Sequence, residues 1–230
     1  TGTCACLIVE RERSLLANLG AALEFSMEHM MSAAVQEAIA ASDLFYLEGF
    51  FMNTQSSPMS AIFLGDHCVQ YNKSFLFNLS APYLSFIFKE RLAAILPYTD
   101  YLVGNHEDFT AYAESVGWET TSLNDVLERL VQMPKKNSER ARIVIMTNGS
   151  GATRVATANR PVQEYPVIKV PEEDIVDTNG AGDAFVGGLL SQLALHKPLE
   201  ECIRVGHIAA CVVIRQNGCS LPEEKPSILQ

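Results

Sequence analysis

Residues Asp174 to Leu190 read DIVDTNGAGDAFVGGLL, and this stretch decides the fold. An apolar step runs into two acids, Asp177 and Asp183, that bracket Thr-Asn-Gly-Ala-Gly, and a helical pattern rich in small residues follows. Gly180, Ala181 and Gly182 therefore sit where a loop turns into a helix. The first turn of a helix has unpaired N–H groups and a partial positive charge. Small residues let an anion approach that backbone closely. Asp183 lies just inside the same helix, where a carboxylate stays ionised and can accept a proton from a hydroxyl presented to it. An anion hole beside a base is what phosphoryl transfer to an alcohol requires. An ordinary helix start, with Asp177 or Thr178 as cap and Asp183 serving the dipole, fits the same residues. The chain has no G-x-x-x-x-G-K-[ST] loop and no G-x-G-x-x-G after a first strand, so neither a Walker A site nor a dinucleotide fold is supported.

Outward from this stretch, the pattern is alternating. DLFYLEGFF (43–51), SFLFNLS (74–80), DYLVGN (100–105) and ARIVIMTNG (141–149) are short apolar runs. Helical periodicity separates them, through about Val69, across YLSFIFKERLAAI, HEDFTAYAESV and SLNDVLERLVQM. Strands alternating with helices predict an α/β fold, a doubly wound and mostly parallel sheet with helices on both faces. ATRVATA and PVQEYPVIKV predict antiparallel strands at an edge. Two helices, about 181–196 and 199–216, finish the chain, with Lys197-Pro198 between them and Gly218 as cap of the second. At the start, CACLIVE and SLLANLGA predict a hairpin turned by RER, and SMEHMMSAAVQEAIAAS predicts an amphipathic helix. Ligands of an open parallel sheet bind outside the carboxyl ends of its strands. Those ends carry Gly49-Phe50, Asn78, Gly104-Asn105 and Thr147-Asn148-Gly149, which suits a polar cleft.

The totals exclude other classes. The chain has 230 residues, 48% hydrophobic and 19% charged, enough for a sizeable core and unlike a disordered chain. Its net charge of −10 leaves no chain-wide basic footprint for nucleic acid. Lys135, Lys136, Arg140 and Arg142 are expected in a solvated basic loop. The six cysteines form no C-x-x-C pair and no His cluster accompanies them, so buried or free cytosolic thiols are expected. Asn72, Asn78 and Asn148 head N-x-S sequons that carry no weight without a secretory signal. No apolar run reaches the roughly 20 residues that cross a bilayer, and a membrane partner is not expected.

DTNGAGD resembles the D-T-x-G-A-G-D signature of the ribokinase family of sugar and nucleoside kinases. TGTCA, EGFF (48–51), NLSAP (78–82), NSERARIVIMTNG (137–149) and ECIRVGHIAACVVIRQNGC (201–219) resemble, in order, segments of its nucleoside-phosphorylating members. The resemblance implies ATP-dependent transfer of the γ-phosphate to the 5′-hydroxyl of adenosine, giving AMP, with Mg²⁺. It makes Asp183 the catalytic base and Gly180, Ala181 and Gly182 the anion hole. Arg13 would contact the transferring phosphate, where the sequence alone suggests a surface residue. Phe50 would line the adenosine pocket with Leu15 and Tyr83 nearby, positions that core packing would otherwise explain. Asn105, Thr147, Gly149, Asn179 and His207 fall where the family holds ATP, although His207 on an apolar helix also suits a satisfied core histidine. The family's N-x-x-E is here NHED, so the metal role falls to Asp108, one methylene shorter and acting through a water. A monovalent cation near the anion hole, as in many relatives, stays open. A cytoplasmic monomer, also found in the nucleus, is the implied setting.

By the same resemblance, residues 1–21 are the remnant of a lid hairpin and residues 22–230 a kinase domain incomplete at its N-terminal side. The family carries, before this point, the first strands of the central sheet, most of the lid, a ribose-binding Asp and a di-glycine hinge. A sugar kinase of the same family and a truncated, non-catalytic nucleotide- or partner-binding product are the alternative functions. Without the preceding strands a sheet edge and an apolar helix face are exposed. The 230-residue chain expressed alone is therefore expected to be unstable or inactive; sustained AMP formation from adenosine and ATP by that chain would contradict this.

Overall fold

Each apolar run of the middle of the chain becomes a strand covered on both faces. The structure, a computed structural model, describes residues 2–9, 12–119 and 122–222, without the side chains of Ile8, Val9, Glu12 and Arg13. A hairpin opens the chain, β1 (Thr3–Val9) and β2 (Glu12–Asn18). Then come α1 (Met27–Met30), α2 (Ala33–Ala41), β3 (Leu44–Glu48), α3 (Met59–Gln70), β4 (Ser74–Asn78), α4 (Pro82–Ile87) and α5 (Lys89–Ile95). The second half runs β5 (Tyr101–Asn105), α6 (His106–Ser115), α7 (Leu123–Gln132), β6 (Ile143–Asn148), β7 (Gly151–Ala156) and β8 (Gln163–Tyr165). It ends with α8 (Ala181–Leu193) and α9 (Leu199–Val213).

The main sheet has the order β3-β4-β5-β6-β7-β8. β3 to β6 pair in parallel, and β7 and β8 add antiparallel strands at one edge. β1 and β2 form a separate antiparallel pair. Strand alternation divides the core in two. Phe75, Phe77, Leu102, Val144 and Met146 pack with α3, α5, α6 and α7 on one face. Leu76, Val103 and Ile145 point the other way, onto Phe185, Val186 and Leu189 of α8 and Cys202 and Ile203 of α9. The doubly wound architecture expected from the alternating runs is thus present. β3 is the outer strand at the other edge, and Leu7 and Leu16 of the hairpin are exposed.

Several local details depart from the periodicity. The helix expected over 26–42 is two, because Ser32 adopts an extended backbone and starts a second helix after Ser26 has capped the first through the His29 amide at 3.1 Å. Gly218 does not cap α9, which ends at Val213; its amide instead donates to Asp177 Oδ2 at 3.2 Å. The basic run is not a solvated loop. Arg142 is 1% exposed, and its guanidinium donates to the carbonyls of Leu96, Thr99, Leu130, Met133 and Pro134 at 2.6–3.2 Å. Those carbonyls include ends of α7 and of the turn after α5, where helix dipoles favour a cation. Lys135 is paired with buried Asp100 at 2.6 Å, and Lys136 lies over the Tyr98 ring. The cysteines are free, as expected, with Cys68, Cys202 and Cys211 buried.

α8 and α9 approach closely through Gly188. A Cβ there would lie 2.7 Å from the Val205 carbonyl oxygen and 2.9 Å from Gly206 Cα, both backbone atoms that cannot give way cheaply. At the adjoining Gly187 a Cβ would meet nothing within 4 Å. Gly188→Ala is therefore expected to cost about 1–3 kcal/mol by overpacking, while Gly187→Ala is neutral or stabilising by up to about 1 kcal/mol through helix propensity. Thermal or urea unfolding of the two variants in the full-length polypeptide checks this, and equal stabilities would contradict the helix contact.

Candidate active site

The opening stretch forms a clipped turn. Val176 and Asp177 donate their amides to the Ile214 carbonyl at 2.9 and 3.2 Å. The Asp177 carboxylate then accepts from Asn179 N through Oδ1 at 2.8 Å and from Gly218 N through Oδ2. Both bonds are charge-assisted, and together they fix the loop against the chain beyond α9. Gly180 follows at φ +75°, a left-handed conformation in which a side chain is strained, and a Cβ there would also meet Cys219 Sγ at 2.8 Å. Gly180 is the N-cap of α8 and, as a glycine, brings no capping side chain of its own.

The amides of that first turn are only partly used. Ala181 N donates weakly to Thr178 O at 3.3 Å and Ala184 N to Gly180 O at 2.8 Å. Among the described residues no acceptor is bonded to the N–H of Gly182 or Asp183. A Cβ built on Gly182 meets nothing within 4 Å, so the space in front of these amides is open. Asp183 is exposed beside them. The N-cap residue itself, a glycine, has no side chain to offer these two donors.

The parallel register brings the strand ends to the same edge. Glu48 pairs with Asn78, Asn78 with Val103, and Asn105 with Thr147. Asn78 Nδ2 donates to Tyr46 Oη at 3.3 Å, and Gly49 N donates to Ser80 Oγ at 2.9 Å. Burial first, and the Asp183 carboxylate second, hold the Glu48 carboxyl above the usual carboxylate range. Burial likewise pushes the Tyr46 phenol up to about 12. Phe50 and Tyr83, 39% and 47% exposed, follow the ends of β3 and β4. The hairpin reaches this edge as well: Asn179 Nδ2 lies 3.8 Å from Cys6 Sγ, and Leu15 is the strand partner of Cys6. Arg13 pairs with Ile8, and its side chain lies outside the described residues.

Asn105, Thr147 and Gly149 sit on neighbouring ends of β5 and β6. Thr147 Oγ1 donates to the Gly104 carbonyl at 3.4 Å. Asn105 and Asp108 form a capping box on α6: Asn105 Oδ1 accepts from Asp108 N at 2.9 Å, and Asp108 Oδ2 accepts from Asn105 N at 2.8 Å. Asp108 is 2% exposed, and burial pushes its carboxyl up to about 6. Its Oδ1 is buried without a protein partner. His207 is buried on α9. Its Nε2 bonds Thr153 Oγ1 at 2.8 Å, its ring lies against Phe185, and burial lowers its basicity. The core-histidine alternative therefore describes its side chain.

Among the described residues no group of three or more His, Cys, Asp or Glu stands ready to hold a metal, and no helix is long and apolar enough to cross a membrane. One feature escaped the sequence: Asp177 looked like a cap but is a loop clip, holding the amides of Asn179 and Gly218.

Known proteins share this architecture. Over 224 residues the chain is 40% identical to adenosine kinase 1 of Arabidopsis thaliana, covering 97% of the chain and 64% of that relative. It is 37% identical over 228 residues to the adenosine kinase of Dictyostelium discoideum, covering 66% of it. The chain thus spans a little under two thirds of the length of these relatives. The crystal structure of Anopheles gambiae adenosine kinase in complex with P1,P4-di(adenosine-5) tetraphosphate superposes with a TM-score of 0.93 at 39% identity, over 99% of this chain and 66% of that one. A Schistosoma mansoni adenosine kinase in complex with adenosine and AMP gives 0.87 at 28% identity, over 97% of this chain and 64% of that one. The profile of the pfkB family carbohydrate kinases matches residues 1–226, and with the open glycine turn and its acid in place the chain belongs to that family.

Proposed function

We propose that this chain carries the phosphoryl-transfer machinery of an adenosine kinase, which moves the γ-phosphate of ATP to the 5′-hydroxyl of adenosine. The observation that carries this is the exposed Asp183 carboxylate beside the two unpaired amides of Gly182 and Asp183. Likeness to adenosine kinases over nearly the whole chain supports the same substrate class. Exposed Phe50 and Tyr83 at the strand ends favour an acceptor that bears a flat base over a bare sugar, since aromatic faces stack on a purine.

In this assignment Asp183 takes the 5′-hydroxyl proton as the O5′–phosphorus bond forms and the bond to the β-phosphate oxygen breaks, releasing ADP. Charge that develops on the equatorial oxygens falls on the Gly180–Gly182 loop and the start of α8. Arg13 approaches the same phosphate from the hairpin. Leu15, with Phe50 and Tyr83, lines the nucleoside side, and Asn105, Thr147, Gly149 and Asn179 line the ATP side. His207 serves that side through packing, since its ring nitrogen is held by Thr153. Residues 1–21 act as part of the lid and residues 22–230 as the kinase domain.

Mg²⁺ would arrive with the ATP phosphates and neutralise part of their charge. The unpartnered Oδ1 of Asp108 fits a metal-bound water better than the ion itself, because the carboxylate is buried and its other oxygen is held by the capping box.

Asp183→Asn in the full-length polypeptide is expected to lower kcat for AMP formation by about 10²–10⁴, the usual worth of a general base. A change under tenfold would contradict the assignment. A substrate panel in the same assay is expected to rank adenosine above ribose and fructose; preference for either sugar would move the function to a sugar kinase.

A further inference from the structure

We infer that Ser80 is a positioning residue for the nucleoside: its hydroxyl clasps the end of β3 to the end of β4 and so fixes how Phe50 and Tyr83 stand relative to one another. This deepens the reading above and rests on those two rings lining the acceptor side. Phe50 is the second residue beyond β3, directly after Gly49. Tyr83 is the third residue beyond Ser80, in the first turn of α4. The two aromatics are thus carried by two chain segments that meet at Ser80.

Ser80 adopts φ +66°, in the left-handed region that a residue with a Cβ enters at a cost. Asn72 and Asn159 also lie there, but asparagine visits that region more readily. Three hydrogen bonds hold Ser80 in place. Its amide donates to Asn78 Oδ1 at 3.1 Å, and its hydroxyl donates to the Asn78 carbonyl at 3.2 Å. The same hydroxyl oxygen accepts from Gly49 N at 2.9 Å, a bond that crosses from one strand end to the other. Asn78 is itself tied to β3, since its Nδ2 donates to Tyr46 Oη at 3.3 Å.

The approach at Gly49 is close. A Cβ there would lie 2.5 Å from the Leu79 carbonyl oxygen and 2.9 Å from Leu84 Cδ1, so the two segments pack backbone to backbone just before Phe50 and Tyr83. Gly49 is buried, and removing the Ser80 oxygen takes an acceptor from an amide that is away from water. Glycine or asparagine would take the backbone angle of Ser80 more easily, but neither carries a hydroxyl on Cβ to bridge Gly49 N and the Asn78 carbonyl. What serine brings to this costly angle is that oxygen.

The test uses the full-length polypeptide as the parent protein and as two variants. Ser80→Ala keeps the backbone angle and removes the hydroxyl, and Ser80→Gly removes both the hydroxyl and the strain. Calorimetric titration with adenosine gives its Kd, and initial rates at varied ATP give KM for ATP. Both variants are expected to bind adenosine about fivefold or more weakly, the usual result of leaving a buried amide without its acceptor, with KM for ATP within about twofold of the parent. A general loss of fold would not separate the two substrates in this way.

Adenosine affinity within about twofold of the parent in either variant, or a rise in KM for ATP by the same factor as the Kd for adenosine, would overturn the clasp. Should Ser80→Ala fail to fold, Ser80→Gly, which relieves the angle, is read in the same way. A parent protein that binds ribose in preference to adenosine would remove the nucleoside reading itself. A parent that prefers adenosine, with variants that keep its affinity, would remove only the role of Ser80.

Discussion

The Asp177 carboxylate holds the site together. By accepting from the amides of Asn179 and Gly218 it pins the loop before α8 to the segment after α9. That pin lets Gly180 take its left-handed turn, and the turn leaves the next amides without carbonyls to bond. A helix start capped in the ordinary way would satisfy the same donors internally and have nothing to offer an anion. The proposed chemistry thus depends on a cap that is withheld, at a place where the Asp177 carboxylate orders the loop instead.

The sheet supplies the other half of the site. Residues such as Phe75, Leu76 and Phe77 are buried in turn against the two helical layers, so the parallel strands cannot slip without turning apolar side chains toward the wrong face. Fixed register places Glu48 beside Asn78 and Asn105 beside Thr147 at one edge. The close Gly188–Gly206 contact seats α8 on α9, and the apolar face of α8 seats it on the sheet, which fixes where the first turn of α8 lies. Packing far from the edge therefore determines where the glycine turn and its acid are held.

Much of this was legible in the residues, and the failures have physical causes. The alternating apolar runs gave the strands and the helices between them, and DTNGAGD gave the turn and its acid. Periodicity could not show that Ser32 breaks a helix, since a serine in the middle of an apolar pattern keeps the pattern intact. Charge in sequence could not show that Arg142 is buried, because its acceptors are carbonyls from Leu96 to Pro134 that only the fold collects. His207 and Asp108 matched family positions, yet their hydrogen bonds to Thr153 and Asn105 are tertiary and local facts respectively.

The central claim is that the amides of Gly182 and Asp183 receive the migrating phosphate. A crystal structure of the full-length polypeptide with adenosine and a non-hydrolysable ATP analogue tests it most directly. The account predicts terminal phosphate oxygens within about 3 Å of those two nitrogens, with the 5′-hydroxyl between that phosphorus and the Asp183 carboxylate. A terminal phosphate bound elsewhere, or the same amides turned onto protein carbonyls in the complex, would contradict it.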